Sequence, residues 1–391
     1  MNPINDSRAL RHLMDLLRVE GLSGREGKVA ALVRKKLLAA GCKPSWIRHD
    51  RAHKKIGDGY EVGNMIVRIP GTTQAPRRLF MSHLDIVPLC RGAIPVKKGN
   101  RIVAKKATAL GADNRTGVAC MVTLVEALLK HGLPRPPLTA LFTVGEEVGL
   151  RGARHVSLRD LGQPRIGFNI DSGDPRVLVV GATGADRWEV DVVGRSSHAG
   201  VHPEDGVSAV LIASHAIAEV AHKGYFGKVR KGRREGTSNV GAVRGGEATN
   251  QVTDRVHILG ESRSHQPAFR REITAVYRRA FEKAARSVRS EDGRAGRVRF
   301  SVKPDYESYR LGEETPVVRL AMGQVKSFRW KPGLLVVNGG TDANYLNAKG
   351  IPTVTLGAGA HHAHTVEEHA DIKEYLGGCR LALALAQTSE P

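Results

Sequence analysis

Residues 138–150 read LTALFTVGEEVGL. The first seven are apolar but for two threonines, a length and texture that fit a strand buried on both faces. Two adjacent glutamates then follow a single glycine. Such pairs are ordinary in solvated loops, but Glu146 and Glu147 sit at the end of a core strand, where charge is costly unless it binds something. One of them can ligate a cation while the other faces a nucleophilic water.

Working outward, short apolar runs alternate with helical stretches. Residues 64–68, 79–83 and 166–170 read as further strands, and residues 114–130 as a helix between two of them. Ser23 and Glu26 have the spacing of a capping box. The helix after them sets Val29, Leu32, Val33 and Leu37 on one face and ends at Gly41. A helix over 316–328, strands over 334–337 and 353–356, and a closing helix over 372–386 complete the pattern. The expectation is an α/β fold: a mostly parallel mixed sheet sandwiched by helices. Reactive residues gather beyond the carboxyl ends of strands in such sheets.

The pattern changes near Ala185. Alternation over 188–193, a helix over 207–221, strands near 238–243 and 256–261, a helix over 267–289 and a strand over 298–302 suit a small antiparallel α+β sandwich of four strands. The dense basic run over 222–236 reads as a solvated loop, and Lys303-Pro304 as a hinge. The division expected is a catalytic domain in two pieces, 1–184 and 304–391, interrupted by an inserted domain, 185–303.

Composition narrows the function. The chain has 391 residues, 60 Lys and Arg against 39 Asp and Glu, and a net charge of +21. The basic residues are spread through most segments, without the aromatic interleaving or groove-reading helix of a nucleic-acid binder, so no specific nucleic-acid partner is expected. The positive field favours anionic substrates, including those with a free carboxylate. The four cysteines are far apart, which suits reduced thiols in a cytoplasm better than disulfides or a zinc knuckle. The first residues lack the apolar core of a signal peptide, and no run approaches a membrane span.

Four more motifs join the glutamate pair. His83 and Asp85 lie in SHLDIVP at a strand end. Alternate residues of an extended chain face opposite ways, so Asp85 suits holding the His83 imidazole rather than sharing its ligand role. Asp113 in GADNRTG can cap a helix, bridge two cations, or do both. Asp171 in NIDSG ends another buried strand, where a turn role is the simpler reading. HHAHTVEE carries three imidazoles, and its residues alone leave His361, His362 and His364 equivalent. Together these side chains supply what a two-metal hydrolase needs, an acid or imidazole on each flank and a carboxylate between the ions.

The combination resembles metallopeptidase family 20, and within it the peptidase T-like branch. The likeness runs through GLSGREGKVAALV, SHLDIVP, GADNRTGVA, FTVGEEVGLRGA, SSHAGVHPEDGVSAV, GGEATNQVTDRVHILGESRSH and NGGTDANYLNAKGIPTVTLGAGAHHAHTVEE. The resemblance implies the dizinc exopeptidase fold with an inserted lid or dimerisation domain. It implies that His83, Asp113 and Asp171 ligate one zinc, and Asp113, Glu147 and His364 the other. Asp113 bridges the two, and its bond to Asn114 is expected to be cis, a rare non-proline geometry. Asp85 is implied as the orienting carboxylate and Glu146 as the general base. His198 is implied to reach the reacting carbonyl across a dimer, and Asn250 and Arg263 to contact a substrate carboxylate.

The expected function is that of a cytoplasmic zinc-dependent exopeptidase on short peptides, resembling a tripeptide aminopeptidase. Two divalent ions, zinc with cobalt or manganese as alternatives, share a water and lower its pKa toward ~7. Glu146 takes that water's proton. The rival readings are an N-acyl amino acid amidohydrolase or carboxypeptidase on the same site, and a non-catalytic binding protein on the same fold. A homodimer through the inserted domain is expected, and no membrane partner.

Overall fold

The computed structural model describes residues 3–57 and 59–388. The chain divides into two compact units, one made of the segments before Thr183 and after Tyr309, the other of Thr183–Tyr309.

Among the described residues, the first unit is built on a nine-stranded mixed sheet. Its centre is four adjacent parallel strands, Leu138–Thr143, Arg78–His83, Ile166–Ile170 and Thr353–Leu356. Every residue of the four is buried, as strands covered on both faces require. Met65–Ile69 flanks them antiparallel to Leu138–Thr143, and Val177–Ala182 antiparallel to Thr353–Leu356.

One face is covered by the helix Ala112–Lys130, with Asp6–Leu17 and Ile372–Gln387 packed against it. Leu13, Leu16, Phe80, Val118, Met121, Phe142, Leu381 and Leu385 meet in that core. The other face buries Ile66, Leu79, Met81 and Leu141 against Ala153, Leu161, Leu346 and Ile351. The two faces thus take alternate residues of the same strands. Each fully buried Leu or Phe contributes about 1.5–3 kcal/mol. Because the central strands are parallel, all four deliver the chain to the same edge of the sheet.

The structure departs from the sequence reading in four places. Ser23 and Glu26 form no capping box: the helix Gly27–Ala39 has Glu26 at its N-cap without a side-chain cap bond. The basic run is a hairpin, with Gly227–Lys231 paired antiparallel to Arg234–Gly245. The inserted sheet therefore has five strands rather than four. Val229 is the one fully buried residue of that extra strand, so its charged neighbours hid the alternation. Lys303-Pro304 is no hinge, because the strand Arg297–Tyr306 runs through both residues.

In the second unit the helices Ala209–His222 and Pro267–Ser287 cover one face of the five-stranded sheet. Trp188, Ile212, Phe269, Ile273, Tyr277 and Phe281 fill its core. Among the described residues, no helix is long and apolar enough to cross a membrane.

Candidate metal centre

The side chains singled out in the first unit gather at the edge where the parallel strands end. His83 is the last residue of Arg78–His83 and is 2% exposed. Its Nε2 lies 3.0 Å from Asp113 Oδ1 and 3.5 Å from Asp171 Oδ1. Its Nδ1 is 3.1 Å from the Asp85 carbonyl oxygen and 3.5 Å from the Asp85 carboxylate. On the other flank, His364 Nε2 is 2.9 Å from Glu147 Oε2 and 3.7 Å from Asp113 Oδ2. Asp113 thus stands between the two imidazoles. One ligand atom each from His83, Asp113 and Glu147 lie within 4.8 Å of one another.

Local structure explains the placement. The Asp113–Asn114 peptide bond is cis. The cap of the following helix comes from Asn114, whose Oδ1 accepts the Gly117 amide at 3.0 Å, so the Asp113 carboxylate is left to face His83. Asn114 Nδ2 donates to the Ile170 carbonyl at 2.8 Å and to Asp171 Oδ1 at 2.9 Å. It joins the helix start to the next strand end. Asp85 is fully buried and accepts the backbone amides of Glu146 (3.0 Å) and Glu147 (3.1 Å).

The HHAHTVEE segment separates its three imidazoles. His364 reaches Glu147, whereas His361 Nε2 lies 2.5 Å from Glu374 Oε2. His362 lies against the ring of His369, at 5.5 Å between centroids.

Burial shifts the titrations here. Burial first, then neighbouring Asp171, Asp342 and Glu147, hold the Glu146 carboxyl well above its ordinary range. Burial, with Asp113 adding to it, pushes Glu147 up to about 7. Asp171 is raised by burial as well. Burial alone would lower the His83 imidazole, but Asp171, Glu146 and Asp113 hold it well above its usual value. The hydrogen bond that His364 donates to the Glu147 carboxylate takes His364 up to about 9. Buried carboxyls this crowded are costly without counter-cations. Hard carboxylate oxygens mixed with imidazole nitrogens form a donor set that suits divalent ions such as zinc, cobalt or manganese. The residues present therefore fit a metal.

Four residues to which the sequence reading gave no role in the site also shape it. Glu368, 2% exposed, accepts the amides of Leu110 and Gly111 at 2.7 Å and of Asp113 at 2.9 Å. Asp342 is buried and accepts the Thr143 hydroxyl at 2.5 Å; burial lifts it to about 7. Ser23 and Glu26 reach the same region from the chain's first segment. Asp342 lies inside NGGTDANYL and Glu368 ends HHAHTVEE, and the polar neighbours in both segments hid their burial.

The remaining candidates lie in the second unit. His198 is exposed and pairs in an isolated bridge with Gln251, and Ala199 donates its amide to the Asn250 carbonyl at 2.9 Å. Asn250 is exposed too. Arg263, on the strand Arg255–Ser264, is bonded through Nε and Nη2 to Glu261 at 2.9 and 3.1 Å.

Comparison with known proteins places this architecture. The model of peptidase family M20/M25/M40 matches residues 79–388. The uncharacterized protein YqjE of Bacillus subtilis is 29% identical over 98% of this chain and 99% of its own. The aminopeptidase PepT of Bacillus cereus superposes with a TM-score of 0.84 at 30% identity, covering 98% of this chain and 99% of that one. A tripeptidase of Staphylococcus aureus gives 0.88 at 28% identity, with 99% of both chains covered. The chain belongs to peptidase family M20/M25/M40, in its peptidase T-like branch, and is a hydrolase of peptide bonds.

Proposed function

We propose that the chain is a metal-dependent exopeptidase that removes the amino-terminal residue of short peptides, tripeptides foremost. The observation that carries this reading is the convergence of His83, Asp113 and Glu147 within 4.8 Å of one another. The PepT and tripeptidase neighbours support the choice of substrate.

In this reading His83, Asp113 and Asp171 hold one divalent cation, and Asp113, Glu147 and His364 hold a second. Zinc is the metal assigned, and the mixed shell can also accept cobalt or manganese. When bound, such ions supply Lewis-acid chemistry, polarising a carbonyl and acidifying water. Glu146 acts as general base: it takes the proton from the attacking water and returns it to the leaving amine. Asp85 keeps Glu146 and Glu147 in register through their amides and keeps the His83 ring in one orientation.

In the second unit His198 is assigned to stabilise the developing oxyanion. Asn250 and Arg263 are assigned to a substrate carboxylate, which then competes with Glu261 for the guanidinium fork. A homodimer through this unit and a cytoplasmic setting belong to the same proposal. The four buried, free cysteines support the latter.

The test is a panel of tripeptides, dipeptides, carboxy-amidated peptides and N-acyl amino acids, assayed on chelated protein and after adding back zinc, cobalt or manganese. The expected result is release of the first residue from tripeptides with a free carboxylate, lost on chelation and restored by metal. Cleavage confined to N-acyl amino acids would overturn the substrate. Full activity after exhaustive chelation would overturn the metal.

A further inference from the structure

The turn that carries Glu146 and Glu147 is held from outside by a segment the mechanism above does not use. Three successive amides, those of Gly145, Glu146 and Glu147, are all given to buried carboxylates. Glu146 and Glu147 donate to Asp85, while Gly145 donates to Glu26 Oε1 at 2.9 Å. The same Glu26 oxygen accepts the Gly24 amide at 2.9 Å. Ser23 Oγ donates to Asp85 Oδ2 at 2.7 Å. The Ile86 amide donates to the Gly21 carbonyl at 3.1 Å, so this segment runs beside the strand end that carries Asp85.

Glu26 is badly placed for any role but this one. It is 0% exposed, and its Oε2 has no hydrogen-bond partner among the described residues. It does not cap the helix it precedes. Leaving a carboxylate oxygen buried and unmatched is destabilising, so the residue is costly to the fold. Gly145 itself has φ +61°, and a Cβ there would stand 2.6 Å from the Tyr60 hydroxyl. The turn is thus confined by Tyr60 on one side and tied to Glu26 on the other.

We propose that Glu26 and Ser23 are positioning residues for the reaction: Glu26 fixes the Gly145–Glu147 turn and Ser23 fixes Asp85, so that the Glu146 and Glu147 carboxylates meet substrate and metal in one geometry. This rests on the reading of Glu146 as base and Glu147 as ligand. Small displacements of such groups are expensive, since a misplacement of about 1 Å can cost on the order of 100-fold in rate.

The variants are Glu26→Ala, Glu26→Gln and Ser23→Ala in the full chain. The measurements are melting temperature, zinc affinity of the chelated protein, and tripeptide kinetics normalised to bound metal. Gln keeps an acceptor for both amides, whereas Ala keeps none. Glu26→Ala is expected to weaken zinc binding about 10-fold and to lower kcat per loaded site at least 10-fold, with KM changed less than about 2-fold. Glu26→Gln is expected to recover most of both, and Ser23→Ala to lower kcat several-fold. The proposal is overturned if Glu26→Ala lowers only the melting temperature, or if Glu26→Gln is as deficient as Glu26→Ala. Should Glu26→Ala not fold, wild-type values in Ser23→Ala overturn it. Wild-type protein that cleaves no tripeptide would sink the functional reading instead, and zinc affinity would still judge the clamp.

Discussion

At the scale of single residues, the site pairs neighbours of the same type and gives them different surroundings. Glu146 and Glu147 are adjacent acids whose amides share one acceptor, Asp85. Glu147 is hydrogen-bonded to an imidazole, that of His364, whereas His83 acts on Glu146 through its charge. In the proposed function this asymmetry is why Glu147 suits a ligand and Glu146 a proton carrier. Glu146→Gln removes the basic oxygen and keeps the volume. Titration of the chelated variant with zinc is expected to match wild type within a few-fold, while tripeptide turnover falls by about 10²-fold or more. A variant retaining most of its turnover would take the base assignment away from Glu146.

At the scale of elements, the start of the helix Ala112–Lys130 is pressed onto the strand ends with no room to spare. A Cβ on Gly117 would stand 2.2 Å from the Ile170 carbonyl oxygen, 2.4 Å from Asn114 Oδ1 and 2.5 Å from Ser82 Oγ. Two of these are backbone or hydrogen-bonded atoms that cannot swing away. Gly117→Ala should therefore push the helix off the sheet, at about 1–3 kcal/mol. Asn114 also holds Asp171, so the same change should weaken zinc binding. Thermal melting and zinc titration check both, and a variant unaltered in each would mean the helix start can yield freely. The helix itself was legible from its apolar periodicity over 114–130, but its cap was not. Asn114, rather than Asp113, accepts the Gly117 amide.

At the scale of the whole molecule, the metal-free protein carries several buried carboxyls whose titration is coupled to folding. Burial raises Glu26 from 4.5 to about 7, with the charge of Asp85 adding to it. Burial raises Asp342 from 3.8 to about 7. A carboxyl raised in the folded state binds its proton more tightly there than in the unfolded chain. Its stabilisation is full below the unfolded value and is lost as pH rises through the folded one. Chelated protein is thus expected to lose melting temperature steadily between about pH 5 and pH 8. Glu26→Gln, which cannot ionise, should show a shallower fall. A melting temperature rising over that range would contradict the buried, proton-retaining state of these acids. Added zinc should restore stability most at the alkaline end, where the acids are ionised and need counter-charge.

Much of this was written in the linear chain. Apolar runs of strand length alternating with amphipathic helices determine a sheet covered on both faces, because no other arrangement buries runs such as LTALFTV. Residues placed directly after such runs must lie at the sheet's edge, so the sequence offered His83, Glu147 and Asp171 as candidates, and the structure brings them to that edge. Tertiary structure alone decided the rest. Ser23, Glu26, Asp342 and Glu368 act through bonds to residues up to 258 positions away, and local sequence carries no trace of such partners. Ser23 and Glu26 even imitate a helix cap in sequence. For HHAHTVEE the residues alone left three imidazoles open and the resemblance pointed to His364; in the packed chain His364 faces Glu147 and His361 faces Glu374. Periodicity reports what a segment buries; only the packed chain sets which polar atoms meet.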